Sequence, residues 1–139
     1  MDRDSHDPVG QVWLEIIKRP SLQAFAAAFV KDCVLDASVM RVPIVGAAGI
    51  RAFFDATRVM YDRIAFVHET RSATRTCLEW EGEFAGRGVG GTTILALDAA
   101  GLIESIRIYH RPYEQVLAFS AELALRLADK VAAAAGDEA

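Results

Sequence analysis

Two histidines, one aspartate and one tyrosine carry the chemistry this chain could do. Histidine as a residue type titrates near neutral pH, which suits general acid–base catalysis, and His68 and His110 are the candidates here. Asp36 could orient one imidazole and raise its pKa, and Tyr61 could donate a hydrogen bond. Each has a plainer reading. His68 could sit with its ring at a strand's rim, and His110, just before Arg111 and Pro112, could simply bond backbone. Asp36 could cap a turn or pair with Arg41 or Arg58, and Tyr61 could belong to the core. No H-x-H or H-x-x-x-H spacing occurs, so no metal is expected. Cys33 and Cys77 lie far apart with no C-x-x-C, and they read as buried free thiols.

The glycines of "GRGVGG" (86–91) pose a second chemical question. Gly86, Gly88 and Gly91 match G-x-G-x-x-G, the spacing of dinucleotide-binding loops. That loop must open a helix, because the pyrophosphate sits on the helix N-terminus. Here "TTILALD" follows, which is β-branched and reads as a strand. No G-K-[ST] occurs either. The glycines therefore read as a bend or bulge between two strands, and no cofactor is expected.

Composition narrows the partners. The chain has 139 residues, 53% of them hydrophobic, with a formal net charge of -4. A chain of this length suits one domain and buries roughly 68% of its unfolded surface, so it needs no disulfide to fold. No concentrated run of Lys and Arg is present to meet a phosphate backbone, which argues against nucleic acid. The acidic N-terminus "MDRDSHDPVG" lacks the apolar core of a signal peptide. No uncharged run, Gly88 to Leu97 included, is long enough to span a bilayer. These features predict a soluble, cytoplasmic protein that does not enter a membrane.

The elements that must position the four residues follow from periodicity. Residues 1–7 read as a disordered leader, 8–135 as one domain and 136–139 as a frayed tail. Helical spacing predicts helices over 8–18, 21–31 and 46–61. Alternating, β-branched segments predict strands over 33–42, 63–72, 75–85, 89–98 and 102–111. Val116, Phe119, Leu123, Leu127 and Val131 form the stripe of a last helix, which could close the fold, pack in a dimer, or both. Consecutive strands joined by short turns imply an antiparallel sheet with helices on one face, an α+β fold.

This order resembles the SnoaL-like, ketosteroid-isomerase-like branch of the nuclear-transport-factor-2-like superfamily. Two stretches carry the likeness: "VLDASVMRVPIVGAAGIRAFFDA" (34–56) and "LALDAAGLIESIRIYHRP" (95–112). The resemblance implies a cone-shaped curved antiparallel sheet, an α+β barrel, packed on three N-terminal helices and completed by a C-terminal helix. It also implies a homodimer with a ligand pocket inside the cone. The acids of the family's ketosteroid isomerases fall here at Val42 and Thr93, and their helix tyrosine falls near Trp13. Neither valine nor threonine can do a carboxyl's work, which disfavours steroid isomerisation by that route. Scytalone dehydratases of the same superfamily look similar in using histidines, an acid and tyrosines to eliminate water.

The expected cavity wall combines both readings. A four-residue turn at 98–101 puts Thr93 opposite Ile106, with Leu95, Ile108 and His110 on the same face. The resemblance turns Asp36, Ser38 and Met40 inward with Val42. Alternation turns Leu78, Trp80 and Phe84 inward and Glu79, Glu81 and Glu83 outward, and it places His68 on the face of Phe66. The candidate catalytic set is His110, His68, Asp36 and Tyr61. The candidate ligand-binding set is Trp13, Met40, Trp80, Thr93, Leu95, Ile106 and Ile108. The partner expected is an apolar small molecule. The reaction expected is that of a cofactor-free lyase, isomerase or cyclase, with a non-catalytic binding or dimeric accessory domain as the alternative.

Overall fold

The structure, a computed structural model, describes residues 9–138, with side chains through Asp129; the leader 1–7 lies outside the described residues. The elements follow in the order α1 (Gln11–Ile17), α2 (Leu22–Ala26), β1 (Phe29–Ala37), β2 (Ile44–Val45), α3 (Ala47–Thr57), β3 (Arg63–Arg71), β4 (Arg75–Phe84), β5 (Arg87–Leu97), β6 (Ile103–Arg111) and α4 (Tyr113–Glu138).

Local chemistry sets several boundaries. The Ser21 hydroxyl accepts the Ala24 N–H at 3.0 Å and starts α2. That helix stops at Ala26 rather than reaching Lys31, because Phe29 pairs with Ile103 and is drawn into the sheet. β1 likewise ends at Ala37 rather than at Val42, and Ser38–Val39 form a turn. Pro112 leaves its carbonyl to accept the N–H of Gln115 at 3.0 Å and of Val116 at 3.1 Å, which opens α4. This helix continues to Glu138, into the stretch read from the sequence as frayed.

The sheet is curved, has six strands in the order β2-β1-β6-β5-β4-β3 and differs from the antiparallel barrel expected in two ways. Short turns make β3 to β6 antiparallel neighbours, but β1 pairs with β6 in parallel. No tight turn joins those two strands, so nothing forces them to run opposite ways. The sheet is also open, with β2 and β3 as its edges.

The buried face of the sheet packs on the helices. Leu35, Leu78 and Ile106 from the strands meet Phe25, Ile50 and Phe53 from α2 and α3, all fully buried. α4 contributes Phe119 and Leu123. Two side chains pin it: the Gln115 amide donates to the Phe84 carbonyl at 2.8 Å, and the Ser120 hydroxyl donates to the Val39 carbonyl at 2.7 Å. No described helix is long and apolar enough to cross a membrane.

Candidate functional site

His110 stands near the end of β6, on the sheet's buried face, and is 8% exposed. Its position follows from the register of β5 and β6. The strands pair Thr93 with Ile108 and Leu95 with Ile106, two residues away from the pairing the turn implied. A shift of two leaves every side chain on its face, so Thr93, Leu95, Ile106, Ile108 and His110 all face inward and are buried.

Tyr61 meets His110 from the segment that follows α3. The Tyr61 hydroxyl and His110 Nε2 lie 2.8 Å apart. Trp80 crosses His110 edge-on at 5.0 Å, and Phe119 of α4 lies 5.0 Å from the imidazole. The Trp80 indole N–H is satisfied by the Thr93 hydroxyl at 3.1 Å. Gly91 pairs with Trp80 on one side and with His110 on the other. A Cβ there would fall 2.3 Å from Trp80 Cζ2 and 2.2 Å from the Tyr109 carbonyl oxygen. One glycine of the quoted stretch therefore makes room for the indole, a steric task that a spacing pattern does not show.

These groups end a cavity of about 330 Å³ between α1, α3 and the sheet. Its walls are Trp13, Ile17, Phe53, Phe54, Phe66 and Ile108. Thr57, Tyr61, Thr93 and His110 supply polar atoms, Lys18 and Arg58 also line it, and no described lining residue is acidic. The sequence reading passed over Phe53, Phe54 and Phe119 as site residues, since aromatic residues at helical spacing look like ordinary core.

Burial decides the charge states. It lowers the His110 pKa from 6.5 to about 4 and pushes the Tyr61 phenol above its ordinary range. Both groups are neutral near pH 7. His110 Nδ1 is buried with no hydrogen-bond partner among the described residues, which adds to the cost of holding the ring there.

The other candidates lie elsewhere. A β-bulge between Phe66 and His68 adds one residue to β3 and reverses the alternation beyond it. His68 consequently points outward, its side chain 63% exposed and 3.7 Å from Glu79. Asp36 is exposed too. In β1 the inward residues are Cys33, Leu35 and Ala37, because Leu35 pairs with Ile106 and Ala37 with Ile108. Counting faces back from Val42 crosses the turn after Ala37, where alternation lapses. Met40 and Ile106 pack in the core rather than on the cavity, and Leu95 lines a different cavity. Among the described residues no three His, Cys, Asp or Glu side chains group as metal ligands.

No protein-family model matches the sequence, and no curated protein matches it. Solved structures do. A steroid Δ-isomerase from Pseudomonas aeruginosa superposes with a TM-score of 0.76 at 22% identity, over 88% of this chain and 90% of that one. The fold is ketosteroid isomerase-like. A SnoaL-like family protein from Agrobacterium tumefaciens matches with a TM-score of 0.54 at 17% identity, over 74% of this chain and 94% of that one. A protein with a ketosteroid isomerase-like fold from Catenulispora acidiphila, in complex with trimethylamine, matches at 0.58 and 18%, over 80% and 90% of the two chains. Within this ketosteroid isomerase-like fold, Val42 is 65% exposed and Thr93 serves as the acceptor for Trp80. Neither position offers a proton-transferring group to the cavity.

Proposed function

We propose that this cavity binds a small, largely apolar molecule bearing one carbonyl or hydroxyl oxygen, which hydrogen-bonds to Tyr61. The observation that carries this reading is the Tyr61–His110 pair, 2.8 Å apart at the end of an apolar cavity. The volume lies in the ordinary range for small-molecule pockets, about 300–1,000 Å³. When His110 Nε2–H donates to the phenol oxygen, the Tyr61 proton is free for a ligand oxygen. A donor fixed among apolar walls polarises a carbonyl and stabilises negative charge developing on it. That is a step of cofactor-free lyase, isomerase and cyclase reactions, and we assign Tyr61 the donor role and His110 its support. The trimethylamine complex of a protein of this fold supports a small occupant.

A second reading, binding without chemistry, is favoured by one observation: no described lining residue is acidic. An imidazole with a pKa of about 4 is a weak base at neutral pH, poorly matched to taking a proton from carbon. We further propose, from the family resemblance, a single domain that works as a cytoplasmic homodimer; sedimentation of the purified chain tests the dimer.

Tyr61→Phe separates the two readings. Small cyclic ketones, enones and alcohols are screened first for thermal stabilisation and then for turnover. Catalysis predicts that Tyr61→Phe lowers kcat by about 10²–10³-fold. Binding alone predicts weaker affinity with no turnover by either protein. Affinity and rate that both ignore the substitution would sink the assignment.

A further inference from the structure

Trp13 of α1 lines the first cavity on one side and a second one on the other. The second cavity is larger, about 480 Å³. Its apolar surface comes from Val12 and Ile16 of α1 and from Leu78, Leu95, Leu97 and Ile103 of the sheet. Its polar residues differ in kind from those around Tyr61. Among the described residues the charged ones lining it are Arg19, Glu69 and Arg71, two positive charges against one negative.

The bulge in β3 brings Glu69 there. With one residue added ahead of it, Glu69 turns toward the cavity, and its side chain is only 17% exposed. Both of its oxygens are engaged. Oε1 accepts the Gly10 N–H at 3.0 Å, and Oε2 accepts from Arg71 Nε. The carboxylate is thus committed to holding Gly10 and Arg71 in place. Among the described residues, Arg71 Nη1 and Nη2 have no hydrogen-bond partner, and Arg19 uses only Nη1, toward the Ala24 carbonyl at 2.9 Å. Among the described residues, a cation would find one counterion there, already neutralised. An acid would find guanidinium donors that no described residue takes up, beside a leucine-lined hollow, and guanidinium groups match carboxylates in geometry as well as charge.

We propose that the second cavity is a binding site for an amphipathic carboxylic acid, with its apolar chain against the leucines and its carboxylate on Arg19 and Arg71. This site is separate from the Tyr61–His110 cavity and does not depend on the function assigned there.

Decanoate, decanol and decylamine are titrated calorimetrically into the full chain, and the decanoate complex is mapped by amide chemical shifts. Decanoate is expected to move the amides of Leu97, Leu102 and Ile103 and to bind at least about tenfold more tightly than decanol. A hydrogen bond to a charged group is worth about that factor. Arg19→Gln and Arg71→Gln should each cost decanoate about tenfold and leave decanol unchanged. Glu69→Gln should keep decanoate binding. Thr76→Trp, a strand substitution that fills the cavity, should abolish it, with circular dichroism confirming that each variant is folded. The proposal is overturned by equal affinities for decanoate and decanol, by indifference to both arginine substitutions, by shifts confined to the Tyr61 side, or by no binding at millimolar decanoate. Tighter decylamine binding that is lost in Glu69→Gln would reassign the site to a cation and overturn it as well.

Discussion

His110 and His68 both stand on strands of one sheet, but His110 lines a cavity and His68 points outward. β6 lies inside the sheet, hydrogen-bonded to β1 and β5, and its side chains alternate without a break from Ile106 to His110. β3 is an edge strand paired only with β4, and its alternation breaks at the bulge before His68. A strand with two neighbours has its register fixed from both sides, so sequence parity predicts its faces. An edge strand has freedom to take in an extra residue. Alternation is therefore better evidence in the middle of a sheet than at its margin.

Substitutions at the two histidines should make that contrast quantitative. His110→Ala opens a hole among Tyr61, Trp80 and Phe119 and leaves the Tyr61 hydroxyl unpaired. It should cost about 3–4 kcal/mol in urea unfolding. Acid offers a second measure, with its sign set by the lowered pKa. The unfolded chain protonates His110 near 6.5, while the folded chain resists until about 4. Stability from the neutral ring is complete above about pH 6.5 and falls away as pH drops toward 4, by roughly 3 kcal/mol in all. His110→Phe should lack this component, so the parent chain should lose stability relative to it as the medium is acidified; an unchanged difference would contradict the burial argument. Gly91→Ala comes next, because its methyl collides with the Trp80 ring and the Tyr109 carbonyl. About 1–3 kcal/mol should be lost, with a shift in tryptophan fluorescence. Smallest is His68→Ala, which should stay within about 0.5 kcal/mol. A loss of several kcal/mol there would mean that His68 is not on the surface at all.

The fold was largely legible, because the β4, β5 and β6 patterns are long and strongly periodic. Glu79, Glu81 and Glu83 against Leu78, Trp80 and Phe84 told the two faces of β4 apart, and the structure keeps that division. Thr93, Ile108 and His110 were legible for the same reason. Asp36 was misplaced because its face was counted across a turn that periodicity does not reveal. His68 was misplaced because Val67, between Phe66 and His68 with no glycine beside it, carries no mark of a bulge. Tyr61 was legible as a residue but not as a partner. It and His110 are separated by 49 residues in sequence, and only the packing of α3 against the sheet brings them together.

The extra residue at Val67 has an effect beyond aiming side chains. The outer margin of β3 pairs with no described strand, and such a margin is where a stray strand could assemble. The bulge interrupts that margin, Arg63 and Arg71 put exposed charge near its two ends, and the opposite margin is the two-residue β2. A strand arriving at either margin finds no long, regular row to extend, so the sheet is protected against growing into an aggregate.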